Sequence, residues 1–98
     1  MCIRDSAPTE HRATLEIRNR LGLHARAAAQ LVQTASRFQA DVTVSKDGET
    51  VNGRSIMGIM MLAAEQGSMI EVATTGTDAA AALEAIRLLI DARFNEPE

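Results

Sequence analysis

Residues 22–28 of the chain read Gly-Leu-His-Ala-Arg-Ala-Ala. His24 stands where an alanine-rich helical pattern begins, and Arg26 follows closely. A helix start presents backbone N–H groups with no partner inside the helix, together with the positive end of the helix dipole. A negatively charged group is favoured there. Imidazole titrates near neutral pH, so a neutral nucleophilic nitrogen is available. A nearby guanidinium offers a planar, forked cation that matches phosphate oxygens. The chemistry that suits this pattern is acceptance of a phosphoryl group on His24, with Arg26 and backbone amides offsetting charge on the oxygens during transfer. Gly22, Ala25 and Ala27 are the positions whose backbone would support the phosphate. A capping histidine beside a solvated arginine would show the same spacing, so the heptapeptide alone leaves both readings open.

Holding such a histidine requires a scaffold. Residues 1–11 carry no strand or helix period and read as a flexible leader, with the domain spanning 12–98. Both Cys2 and His11 fall in that leader, with no partner groups clustered near them. Ala13, Leu15 and Ile17 alternate with polar neighbours and predict a strand over 13–17. Asn19-Arg20-Leu21-Gly22 reads as a loop. Ala25, Ala28, Leu31 or Val32, Ala35 and Phe38 then recur at helical spacing, with Gln30, Gln33, Thr34 and Arg37 expected on the wet side.

Val42 and Val44 begin a second strand, and Asp47-Gly48 is a two-residue hairpin signal. That turn sets Lys46 opposite Glu49 and Val44 opposite Val51, agreeing in charge and in face. Residues 56–62 predict a short apolar helix, and Gly67 breaks the chain. Ile70 and Val72 alternate with Met69 and Glu71 in a fourth strand. Gly76 leads into a last helix capped by Thr77 or Asp78, whose buried stripe is Ala82, Leu83, Ile86, Leu89, Ile90 and Phe94. The polar tail from Asn95 is expected to fray. The order β-α-β-β-α-β-α predicts an α+β domain with helices packed on one face of a mostly antiparallel sheet.

Composition narrows the classes. A chain of 98 residues holds one small core, and 46% apolar residues argue against disorder. Aromatics are 2% (Phe38 and Phe94), so core volume must come from aliphatic side chains and methionine. The net charge is −3 and the pI about 5.3, without the basic footprint or stacking aromatics of a nucleic-acid binder. No apolar run reaches the length of a membrane span, and the first residues do not look like a secretory signal. With a single cysteine and no internal disulfide, the expectation is a cytoplasmic protein. Two histidines and one cysteine in these contexts make no metal ligand set, and no cofactor is expected.

Asn-Arg-Leu-Gly-Leu-His-Ala-Arg-Ala-Ala-Ala (19–29) closely resembles the active-site signature of the histidine-containing phosphocarrier (HPr) family of the bacterial phosphotransferase system. Arg54-Ser55-Ile56-Met57-Gly58-Ile59-Met60-Met61-Leu62 resembles that family's second signature, and the interval between the two matches as well. The resemblance runs from about Arg12 to Phe94. It implies an open-faced β-sandwich, a four-stranded antiparallel sheet with three helices on one side. It implies a phosphorylated carrier without turnover of its own, in which His24 is phosphorylated on Nδ1 by enzyme I, at the expense of phosphoenolpyruvate, and passes the group to IIA-type acceptors. Many members have proline after the arginine; here it is Ala27, which suggests slightly looser pre-organisation.

Ser55 reads as a helix N-cap, and the resemblance adds a regulatory site for an HPr kinase/phosphorylase. Cap alone and cap plus regulation both stand. The helix after it is apolar on all sides, more than one face on a sheet can bury. Ile56, Met57, Met60 and Met61 are therefore expected to form a docking patch beside His24, with plain core as the alternative. A monomer is expected. Two other outputs remain open: the same chemistry serving a nitrogen-related regulatory branch, or a regulatory α+β binding module without covalent chemistry.

Overall fold

A computed structural model describes residues 10–62 and 64–95; Cys2, the leader through residue 9 and the tail 96–98 lie outside the described residues. Four strands form: β1 (Glu10–Glu16), β2 (Asp41–Lys46), β3 (Glu49–Asn52) and β4 (Met69–Thr75). Three helices join them: α1 (Ala25–Ser36), α2 (Ile56–Met61) and α3 (Ala79–Asp91), with a 3-10 turn at Arg93–Asn95. The sheet order is β1-β4-β2-β3, and every neighbouring pair is antiparallel. This is the expected element order and the expected open-faced sandwich.

The hairpin forms as its turn chemistry requires. Asp47 (φ 52°) and Gly48 (φ 85°) both adopt the left-handed region that a type I′ turn demands. Lys46 sits opposite Glu49 and Val44 opposite Val51. Val42, Val44, Ile70 and Val72 line the covered face of the sheet. They meet Ala27, Ala28 and Leu31 of α1, Ile59 of α2, and Ile86 and Ile90 of α3. Alanines at the contact let α1 approach closely. Phe94, fully buried, closes this core from a left-handed conformation just after α3 (φ 54°). Burying its ring contributes roughly 2–3 kcal/mol, comparable with the backbone strain of about 1–3 kcal/mol.

Several boundaries differ from the sequence expectation. β1 starts at Glu10, so Glu10 and His11 are not leader: they pair with Thr75 and Thr74. Their partners are polar, so no apolar alternation marks the pairing. α1 stops at Ser36 and not at Phe38. The Arg54 guanidinium donates from Nη2 to the carbonyls of Phe38 (2.9 Å) and Ala40 (2.7 Å), holding the chain beyond the helix end. Thr34 is buried and Ala25 exposed, the reverse of the expected faces. α1 packs on α2 and α3 as well as over the sheet, which rotates and widens its buried arc. Neither Thr77 nor Asp78 caps α3 through its side chain. Instead the Asp78 carboxylate accepts the Gln39 N–H (2.8 Å) and the Thr77 hydroxyl donates to the Gln39 carbonyl (3.3 Å). The two candidate caps are spent on fixing the α1–β2 connection.

Candidate functional site

The loop before α1 is pinned from inside. Asn19 is fully buried; its side-chain amide donates to the Gly22 carbonyl (2.7 Å), and the Gly22 N–H donates to the Asn19 carbonyl (3.2 Å). Gly22 has φ +72°, and a Cβ built there would lie 2.5 Å from the Ala64 carbonyl oxygen. Leu23 donates its N–H to that same oxygen (2.9 Å). The stretch following α2 thus fixes the path by which the chain enters α1.

His24 emerges from this loop as the N-cap of α1, with extended backbone (φ −81°, ψ −177°). Its N–H donates to the Gly22 carbonyl (2.9 Å), and its own carbonyl accepts the first helical bond from Ala28 (2.8 Å). Its Nδ1 accepts the Arg26 N–H (3.2 Å). That contact requires a lone pair on Nδ1, so the neutral ring carries its proton on Nε2. The residue is half-buried. The amides of Ala25, Arg26 and Ala27 precede the first helical bond and are the orphan donors of this helix start. Gly22, His24, Ala25, Arg26 and Ala27 thus lie along the entry loop and the first turn of α1.

Arg26 is exposed, and among the described residues no carboxylate pairs with its guanidinium. Residues 17–40 contain no Asp or Glu but include Arg18, Arg20, Arg26 and Arg37. This stretch of sequence is thus basic on an acidic chain, although in the fold the Glu65 backbone lies against Gly22 and Arg18 pairs with Asp91 (3.6 Å). A nucleophilic nitrogen, orphan amides and a forked cation in one place can accept and hold a phosphoryl group. No group of His, Cys, Asp and Glu among the described residues is arranged to hold a metal.

Ser55 caps α2: its Oγ accepts the Gly58 N–H (3.0 Å) and its carbonyl accepts from Ile59 (3.0 Å). Replacing Ser55 with alanine is expected to destabilise the fold by about 1 kcal/mol, read as a lower urea midpoint at unchanged slope. On α2, Ile59 points into the core, while Ile56, Met57, Met60 and Met61 are exposed. α2 packs against α1, and the Leu23–Ala64 bond brings its C-terminal end beside the His24 loop. Leu21, on that loop, is exposed too. The sequence reading places Asn19 and Leu21 in the loop and signature before α1 without giving either a role of its own, and it misses Ala64.

The family profile described as "PTS HPr component phosphorylation site" matches residues 11–92. The chain belongs to the HPr family. A phosphocarrier protein HPr of Xylella fastidiosa is 52% identical over 87 residues, which are 89% of this chain and 96% of that protein. The crystal structure of HPr-C-His from Thermoanaerobacter tengcongensis superposes with a TM-score of 0.86 at 44% identity, covering 90% of this chain and 99% of that one. A phosphocarrier protein HPr from Bacillus anthracis gives 0.81 at 48% identity, covering 84% and 98%. Where many HPr proteins carry proline, Ala27 is the third residue of α1 and is buried. Alanine there keeps an N–H at the helix start that proline would remove, and it is a strong helix former. No helix among the described residues is long and apolar enough to cross a membrane.

Proposed function

We propose that this HPr-family protein accepts a phosphoryl group on Nδ1 of His24 from phosphorylated enzyme I and passes it to IIA-type acceptors of a phosphotransferase system. One observation carries the reading: Nδ1 of His24 is turned toward the start of α1, 3.2 Å from the Arg26 amide. The Nδ1 lone pair attacks phosphorus as the donor's bond to the phosphoryl group breaks. The Arg26 N–H then loses its nitrogen acceptor and turns to a phosphoryl oxygen. Neighbouring orphan amides and the Arg26 guanidinium receive the remaining charge. In delivery a nucleophile of the IIA-type protein attacks the same phosphorus, the P–Nδ1 bond breaks, and the electron pair returns to Nδ1 of His24. The work belongs to a phosphorylated intermediate in the cytoplasm.

Incubation with phosphoenolpyruvate and enzyme I tests this. The protein should gain one acid-labile phosphate; a protein that takes up none is a binding module and not a carrier. Presenting IIA-type proteins of sugar-uptake and nitrogen-related branches one at a time identifies the output. Arg26→Ala should slow uptake by about ten- to a hundredfold, because one cationic donor is lost while the helix amides remain. Stopped transfer kinetics with phosphorylated enzyme I read this directly.

Met57, Met60, Met61 and Ile56 form the docking patch in this reading, with Leu21 at its margin. Met57→Glu should lower kcat/KM for phosphate uptake from enzyme I by about tenfold, since a desolvated unpaired charge opposes association. Its stability should stay within about 0.5 kcal/mol of the parent, as Met57 is solvent-facing. Unchanged transfer removes Met57 from the patch. Ser55, at the edge of this surface, is the regulatory position for an HPr kinase. Its phosphate would add about −1.5 to −2 charges at the start of α2 and oppose the same docking.

A further inference from the structure

Three of the chain's five methionines lie on six-residue α2, and the surface they make is open to solvent. Met57 is 71% exposed and Met61 68%, the two most exposed large apolar residues described. They are four positions apart, so both side chains emerge on one side of the helix. Met60, 42% exposed, lies between them. The remaining described methionine, Met69, is also exposed, but it sits on β4 with Glu71, on the sheet face away from the helices. Among the described residues the accessible thioethers are therefore of two kinds: those of α2, with Met57 and Met61 the most exposed, and Met69 on the far face of the sheet.

We propose that Met57 and Met61 are a peroxide-sensitive modification site that switches off docking at the His24 surface. The inference rests on the carrier reading and on α2 as its contact surface. A thioether lone pair attacks one oxygen of a hydroperoxide. The S–O bond forms, the O–O bond breaks, and the other oxygen leaves as water or alcohol after taking up the proton. Sulfur is oxidised from sulfide to sulfoxide and the peroxide is reduced by two electrons. The product is a polar, chiral side chain in place of a flexible apolar one. No internal group neutralises the change, because both side chains point to solvent and the core below them is carried by Ile59 and Leu62. The fold survives while the contact surface changes character. A sulfoxide left unpaired against an apolar partner weakens association by roughly ten- to a hundredfold.

The test uses the full chain with Cys2→Ser, so that no thiol competes. The protein is treated with hydrogen peroxide, peptide mass spectrometry locates added oxygen, and uptake of phosphate from phosphorylated enzyme I is timed. Oxygen is expected on Met57 and Met61, with a fall in kcat/KM of about ten- to a hundredfold and recovery on incubation with methionine sulfoxide reductases. Met69→Leu should remain as sensitive as the parent. The Met57→Leu/Met61→Leu chain, whatever its starting rate, should keep most of it after peroxide, since only the less exposed Met60 (42%) remains on α2. The proposal is overturned if oxygen does not reach these two residues, if the oxidised protein transfers at the untreated rate, or if the double variant is inactivated as strongly as the parent. Untreated protein that takes up no phosphate defeats the carrier reading instead.

Discussion

Replacing His24 with alanine is expected to abolish the proposed phosphate uptake from enzyme I while leaving a folded protein. The ring does two things at once. Its Nδ1 is the nucleophile of the proposed transfer, and it also accepts the Arg26 N–H as a helix cap. Alanine removes both, and loss of the cap costs about 1 kcal/mol, too little to unfold a domain of ordinary stability. His24→Asn separates the two roles, because asparagine is a favoured N-cap with no nucleophilic ring. It should match the parent in thermal unfolding and still carry no acid-labile phosphate. Mass spectrometry after incubation with phosphoenolpyruvate and enzyme I reads both variants. Phosphate retained on His24→Ala would transfer the role to another residue; His11 is the other histidine, and it lies in β1, paired across to Thr74.

Gly22→Ala is expected to damage both stability and transfer. At φ +72° an L side chain is strained, and the new methyl would meet the Ala64 carbonyl at 2.5 Å. That oxygen belongs to backbone and already accepts the Leu23 N–H, so it cannot swing aside cheaply. Left-handed strain and forced displacement together cost roughly 2–5 kcal/mol. Gly48→Ala supplies the control. It too has positive φ, but nothing lies within 4 Å of a Cβ there, so only the strain of about 1–2 kcal/mol applies. Chemical denaturation of the two variants isolates the clash. Phosphate uptake by folded Gly22→Ala should also fall, since any shift of Leu23 moves His24. Equal losses in the two variants would show that the loop does not depend on its contact with Ala64.

Much of this architecture is legible in the chain because it is decided locally. Asp47-Gly48 dictates a turn, the turn dictates register, and register places Val44 opposite Val51. The helical recurrence from Ala25 marks α1, and a histidine just before it is a cap candidate on position alone. Ser55 follows the same logic at α2. The misreadings have a common cause. Glu10 and His11 join β1 only because β4 offers Thr75 and Thr74 to pair with. Thr77 and Asp78 resemble caps, yet Gln39, far away in sequence, takes both. α1 ends early, and Arg54 reaches across to the Phe38 and Ala40 carbonyls of the chain beyond it.

The sequence by itself determined the element order, the hairpin register, and the place of His24 and Arg26 at one helix start. Each follows from turn chemistry or period over a few neighbouring residues. Tertiary structure alone decided that Gly22 must lack a side chain, that Asn19 and Ala64 hold the loop, and which residues of an all-apolar α2 face water. Those outcomes depend on atoms brought together from distant parts of the chain, and no local pattern encodes which surfaces will be left uncovered once the sheet and helices have packed.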